Sequence, residues 1–131
     1  MKIVVDTNVL ISAFLTVGTS REVLDEILRR RHCILSPYLL EEFRSTLLSE
    51  KFNFPSPLVE AFVDYLQQYS TVVGEEKLNI SFSDAQDIPI LALCQTVKAD
   101  FLVTGDGGLL DLKKIGRTLI IRPSGFWKAT L

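Results

Sequence analysis

Ile3-Val4-Val5-Asp6-Thr7-Asn8-Val9-Leu10 decides how the rest of the chain is read. The first three residues are β-branched and apolar at every position. That pattern suits a strand buried on both faces. The run stops at a carboxylate, Asp6. Apolar residues then recur at 9, 10, 13, 14 and 17, a helical spacing, and Gly18 offers a stop. A doubly buried strand passing straight into a helix is the start of an α/β unit.

The alternation continues to the C-terminal end. Thr19-Ser20-Arg21-Glu22 has the form of a capping box, opening a helix with Val23, Leu24, Ile27 and Leu28 on one face and Arg29-Arg30-Arg31 at its end. Cys33-Ile34-Leu35 is a second strand. Ser36-Pro37 supplies an N-cap and an N1 proline for a helix to about Lys51, with Leu39, Leu40, Phe43 and Leu47 inward. Ser56-Pro57 repeats that signal ahead of Leu58, Phe62, Val63 and Leu66. Thr71-Val72-Val73 is a third strand, and the polar stretch 75–86 a loop. Asp87 can cap the next helix, with Pro89 tolerated in its first turn and Ile90, Leu91, Cys94 and Val97 buried. Phe101-Leu102-Val103-Thr104 is a strand stopped by Gly105-Asp106-Gly107-Gly108. A short helix near Leu109–Lys114 and a last strand, Thr118–Ile121, follow. Right-handed crossovers turn this order into a parallel five-stranded sheet with helices on both faces. No repeat or linker interrupts it, so one domain is expected over residues 1–131.

Composition narrows the function. Hydrophobic residues make up 47% and charged residues 23% of 131, as in an ordinary globular protein. The formal net charge is −2, so no bulk positive field draws in a polyanion; local cations or a metal must do so. Cys33 and Cys94 lie in apolar runs, and His32 is the single histidine, so no zinc set exists. They read as reduced core residues of a cytoplasmic protein. Neither a signal peptide nor a run of about 20 apolar residues is expected to direct it elsewhere.

The acids fall where an open α/β sheet places its site, beyond the carboxyl ends of the strands. Asp6 ends the first strand and Asp106 follows the fourth. If those strands are neighbours, the two acids meet. Glu42 and Asp87, near the starts of two helices, can converge on them. Such a cluster is costly without a counterion, because like charges repel and some groups take up protons. A hard divalent cation with oxygen ligands removes that cost.

The chain as a whole resembles the PIN-domain family. The resemblance rests on Val-Val-Asp-Thr-Asn-Val-Leu at 4–10, Leu35-Ser36-Pro37 with Glu42, Asp87 before Ile-Leu-Ala, Ala99-Asp100-Phe101-Leu102-Val103-Thr104-Gly105-Asp106, and Ile121-Arg122-Pro123-Ser124-Gly125-Phe126. It implies a sheet of order 3-2-1-4-5 and Mg²⁺- or Mn²⁺-dependent RNA cleavage by a metal-activated water. Asp6, Glu42, Asp87 and Asp106 would be the metal-site acids, with Asn8 and Thr104 in support. It also implies a toxin held by a small antitoxin, and a homodimer.

Several residues have rivals. Asp84 competes with Asp87, and Glu41 with Glu42, which lies slightly nearer the apolar stripe of its helix. Lys113, Lys114 and Arg117 follow the Asp106 loop and are candidate RNA contacts, Lys113 first; the Arg29–Arg31 run is a weaker one. A non-catalytic module that binds RNA or protein is the alternative. A haloacid-dehalogenase-like phosphatase fits less well, since it needs a second Asp where this chain has Asn8.

Overall fold

The structure is a computed structural model and describes residues 1–74 and 88–131. The elements in chain order are β1 (Lys2–Val5), α1 (Thr7–Leu15), α2 (Thr19–Arg30), β2 (His32–Leu35), α3 (Pro37–Leu48), α4 (Ser56–Tyr69), β3 (Thr71–Val72), α5 (Ile88–Val97), β4 (Phe101–Val103), α6 (Gly107–Leu112), β5 (Lys114–Ile115), β6 (Thr118–Ile121) and α7 (Phe126–Ala129). A single 3₁₀ turn, Pro123–Gly125, precedes α7.

Ile3, Val4 and Val5 are fully buried, as a run without polar alternation requires. β1 pairs in parallel with β2 (Ile3 opposite Cys33) and with β4 (Val5 opposite Val103). The sheet order is β3-β2-β1-β4-β6-β5. The predicted order 3-2-1-4-5 is thus present, with β6 as its last parallel strand. The chain winds to one side of β1 through β2 and β3, then restarts on the other side with β4. The switch point lies between β1 and β4.

Three local expectations need correcting. A sixth strand, β5, pairs antiparallel with β6 at the edge. Lys114 belongs to it, because α6 stops at Leu112 and Lys113 takes φ +63° at the cap. A two-residue turn begun by Gly116 at φ +56° closes the hairpin, a conformation for which glycine is suited. Second, Thr19 does not cap α2. Gly18 precedes the helix and accepts from the Glu22 N–H at 3.0 Å, so no capping box forms. Third, α4 starts at Ser56 itself, behind Pro55. By contrast Ser36 accepts from the Leu39 N–H at 3.1 Å, as its position before Pro37 predicts.

Phe14 on α1 joins the helical layers by edge contacts with Phe43, Phe54 and Phe62. Two arginines of the Arg29–Arg31 run have structural partners. Arg30 and Arg31 pair with Glu26, and Arg31 lies 5.9 Å from the centre of the buried Phe126 ring. Cys33 and Cys94 are buried and unpaired, and burial pushes both thiols up to about 12. Among the described residues no helix is long and apolar enough to cross a membrane.

Asp100 clamps the opposite end of the sheet. Its carboxylate accepts from the Lys2 N–H and from Arg117, both at 2.8 Å, while its own N–H donates to the Lys2 carbonyl. The Lys2 N–H, then Arg117, hold its carboxyl below the ordinary range against partial desolvation. A lowered folded value means stability present above the unfolded value, near 3.8, and lost as pH falls through the folded one. Asp100→Asn should cost about 1 kcal/mol at pH 7. In urea titrations that deficit should shrink below about pH 4.

Candidate active site

Parallel pairing of Val5 with Val103 brings the residues that follow them side by side. The Asp6 N–H donates to the Val103 carbonyl at 2.9 Å, and the Thr104 N–H to that of Ile121 at 2.9 Å. Each residue then leaves its strand for a helix. Asp6 caps α1, its Oδ1 accepting from the Thr7 N–H at 2.7 Å. Asp106 caps α6, its Oδ2 accepting from the Leu109 N–H at 2.9 Å. Both carboxylates therefore sit at helix amino ends, where negative charge is favoured.

Polar side chains lock the pair together. Thr104 Oγ1 donates to Asp6 Oδ2 at 2.7 Å and accepts from the Asp106 N–H at 3.0 Å. Asn8 Nδ2 donates to Asp6 Oδ2 at 3.0 Å, and Asn8 Oδ1 accepts from the Gly105 N–H at 2.9 Å. A Cβ added to Gly105 would stand 3.4 Å from Asn8 Oδ1, in ordinary van der Waals contact. Glu42 arrives from α3 and accepts from Thr7 Oγ1 at 2.5 Å. Its neighbour Glu41 is turned outward and pairs with Arg44 at 2.7 Å, which separates the two rivals.

A cleft of about 260 Å³ opens on these groups. Asp6, Asn8, Glu42 and Asp106 line it together with Thr7 and Tyr38. Ile90 of α5 also reaches its wall. Thr104 stands behind it, fully buried. Thr7 is a site residue that the sequence reading does not single out. Its sequence position beside Asp6 was the available signal, but its partner Glu42 is 35 residues away. Lys113 is exposed at the end of α6 and does not line the cleft. Asp87 and its rival Asp84 lie outside the described residues.

Asp6 is 8% exposed. Burial pushes its carboxyl above the ordinary range. Hydrogen bonds from Thr104 and the Thr7 N–H oppose that shift, and the charges of Glu42 and Asp106 add to it. A raised folded value means the contribution to stability is complete below the unfolded value and is lost as pH rises through the folded one. The charged form of Asp6 is therefore a cost to the fold, which a nearby cation would offset. No lysine or arginine lines the cleft among the described residues, and none there forms an ion pair with Asp6, Glu42 or Asp106. Among the same residues no three acids, histidines or cysteines are gathered closely enough to hold a metal ion by themselves. The donor set, oxygen only and incomplete, fits a hard cation that keeps several waters and takes one or two carboxylates.

A sheet wound to both sides of β1, with carboxylates gathered at its switch point, defines an α/β protein with an acidic cleft. The chain belongs to the PIN-domain family, whose profile matches residues 2–107 and whose members are generally nucleases. The fold is similar to that of a chain in the crystal structure of VapBC2 from Rickettsia felis bound to a DNA fragment from their promoter. That superposition has a TM-score of 0.66 at 15% identity and covers 93% of this chain and 98% of that one. No curated protein matches the sequence.

The double role of the Thr104 hydroxyl makes it sensitive to replacement. Thr104→Val keeps the shape but removes a donor to Asp6 and an acceptor for the Asp106 N–H. It should destabilise the metal-free protein by about 1–3 kcal/mol in urea unfolding. Thr104→Ser should recover most of the loss.

Proposed function

We propose that the protein is a Mg²⁺- or Mn²⁺-dependent endoribonuclease that hydrolyses RNA phosphodiester bonds, acting as the toxin of a toxin–antitoxin pair in the cytoplasm. One observation carries the reading: Asp6, Glu42 and Asp106, from three separate segments, face one cleft that no cation lines among the described residues. The ion would be held by these acids, with Asp87 as the fourth. A bound cation supplies Lewis acidity that activates a water and stabilises the leaving oxygen.

The chain's own groups do the positioning. Thr104 and Asn8 fix Asp6 through the same oxygen, Oδ2. Glu42 Oε2 and Asp106 Oδ1 have no hydrogen-bond partner among the described residues, so each can accept from water or a metal. A net charge of −2 repels a phosphodiester at long range. A cation held by Asp6, Glu42 and Asp106 would supply the attraction at short range. The likeness in fold to a chain of a VapBC2 assembly with promoter DNA supports a small antitoxin as partner.

The test uses the purified chain, freed of any co-purified protein, with several RNAs. Cleavage should require Mg²⁺ or Mn²⁺, cease with EDTA, and fall to background in Asp6→Asn. Wild type that stays inert on RNA with both metals would instead favour the non-catalytic binding module. Hydrolysis of a small phosphoester without cleavage of RNA would point to a phosphatase.

A further inference from the structure

We infer that Thr7 is a positioning residue for the metal site, holding Glu42 in register with Asp6; the inference rests on the metal-site reading above. Thr7 is 5% exposed and bonds two acids at once. Its N–H donates to Asp6 Oδ1 at 2.7 Å, and its Oγ1 donates to Glu42 Oε1 at 2.5 Å. Those acids come from segments 36 residues apart, and no hydrogen bond joins them directly among the described residues.

Helix geometry explains why the hydroxyl is available. A threonine inside a helix commonly donates to the carbonyl one turn earlier. Thr7 is the first residue of α1, with β1 and Asp6 before it, so no helical carbonyl precedes it. The donor is free to reach across to α3. Its β-branched side chain is stiff at χ1, and burial restricts it further, so the hydroxyl makes a fixed anchor.

Glu42 needs such an anchor. It has no cationic partner among the described residues, whereas Glu41 next to it is tied to Arg44. A glutamate loses considerable rotamer freedom when it is ordered. Held at Oε1, it leaves Oε2 as the oxygen to offer to an ion. Outer partners of this kind orient ligands, and their removal typically weakens metal binding by about 10- to 100-fold.

Thr7→Val removes the hydroxyl while keeping the branched shape and the N–H to Asp6. Mn²⁺ binding by calorimetry should weaken about tenfold in Thr7→Val, and likewise in Thr7→Ala, and return to near wild type in Thr7→Ser. The melting temperature in EDTA should stay close to wild type in the variants, showing that the ligand is misplaced rather than the fold lost. Wild-type affinity in Thr7→Val or Thr7→Ala, or Thr7→Ser as weak as Thr7→Val, would overturn the role while leaving the metal site standing. Wild-type protein that binds no Mn²⁺ would overturn both.

Discussion

The hydroxyl of Thr104 is the contact on which the arrangement of the site depends. It donates to the carboxylate that ends β1 and accepts from the amide that leads into α6. It can do so because β1 and β4 are paired in parallel and end together. That pairing follows in turn from two short runs, Ile3-Val4-Val5 and Phe101-Leu102-Val103, apolar at every position and buried throughout. Such strands cannot tolerate a wet face, so they take the centre of the sheet. The switch point is therefore set by core burial before any charged residue is considered. The acids sit where the strands run out.

Placing acids there has a cost, and several features of the site limit it. Asp6 caps α1 and Asp106 caps α6, so helix amino ends face both carboxylates. Three donors converge on Asp6. Even so, burial wins and the Asp6 carboxyl remains above its ordinary range. Hydrogen bonds lower the cost of the charge without neutralising it. Donors already reach both Asp6 oxygens, so what stays uncompensated is the charge itself.

Legibility in the sequence follows the range of the interactions. Burial of the two central strands and the Ser36-Pro37 start are local, and each is found where the sequence puts it; Val17 and Leu58, placed on apolar helix faces by periodicity, are exposed at 83% and 51%. Asp6 and Asp106 are legible because strand ends locate them. Choices between near neighbours are not. Glu41 and Glu42 differ little on a helical wheel; Glu41 pairs with Arg44 one turn along, while Thr7 reaches Glu42 from 35 residues away. β5 has only two residues and exists because Lys113 and Gly116 take positive φ, which no periodicity reports. Thr19 has the composition of a cap, but the chain geometry gives that place to Gly18. The Asp87 and Asp84 alternatives lie outside the described residues.

Position 8 shows why the amide matters as much as the acids. Its side chain gives a hydrogen to Asp6 Oδ2 and takes one from the Gly105 N–H. The Gly105 N–H can only donate, so the oxygen of Asn8 must face it and the nitrogen must face Asp6. An ionised aspartate at this position could accept from Gly105 but could not donate to Asp6. It would set a like charge against a carboxylate already short of compensation. The feature that counts against a phosphatase, an amide where a general acid would stand, is thus what this cleft requires on physical grounds. Asn8 couples the end of β1 to the loop after β4, beside the Thr104 link. Two neutral contacts thereby hold two acidic segments side by side.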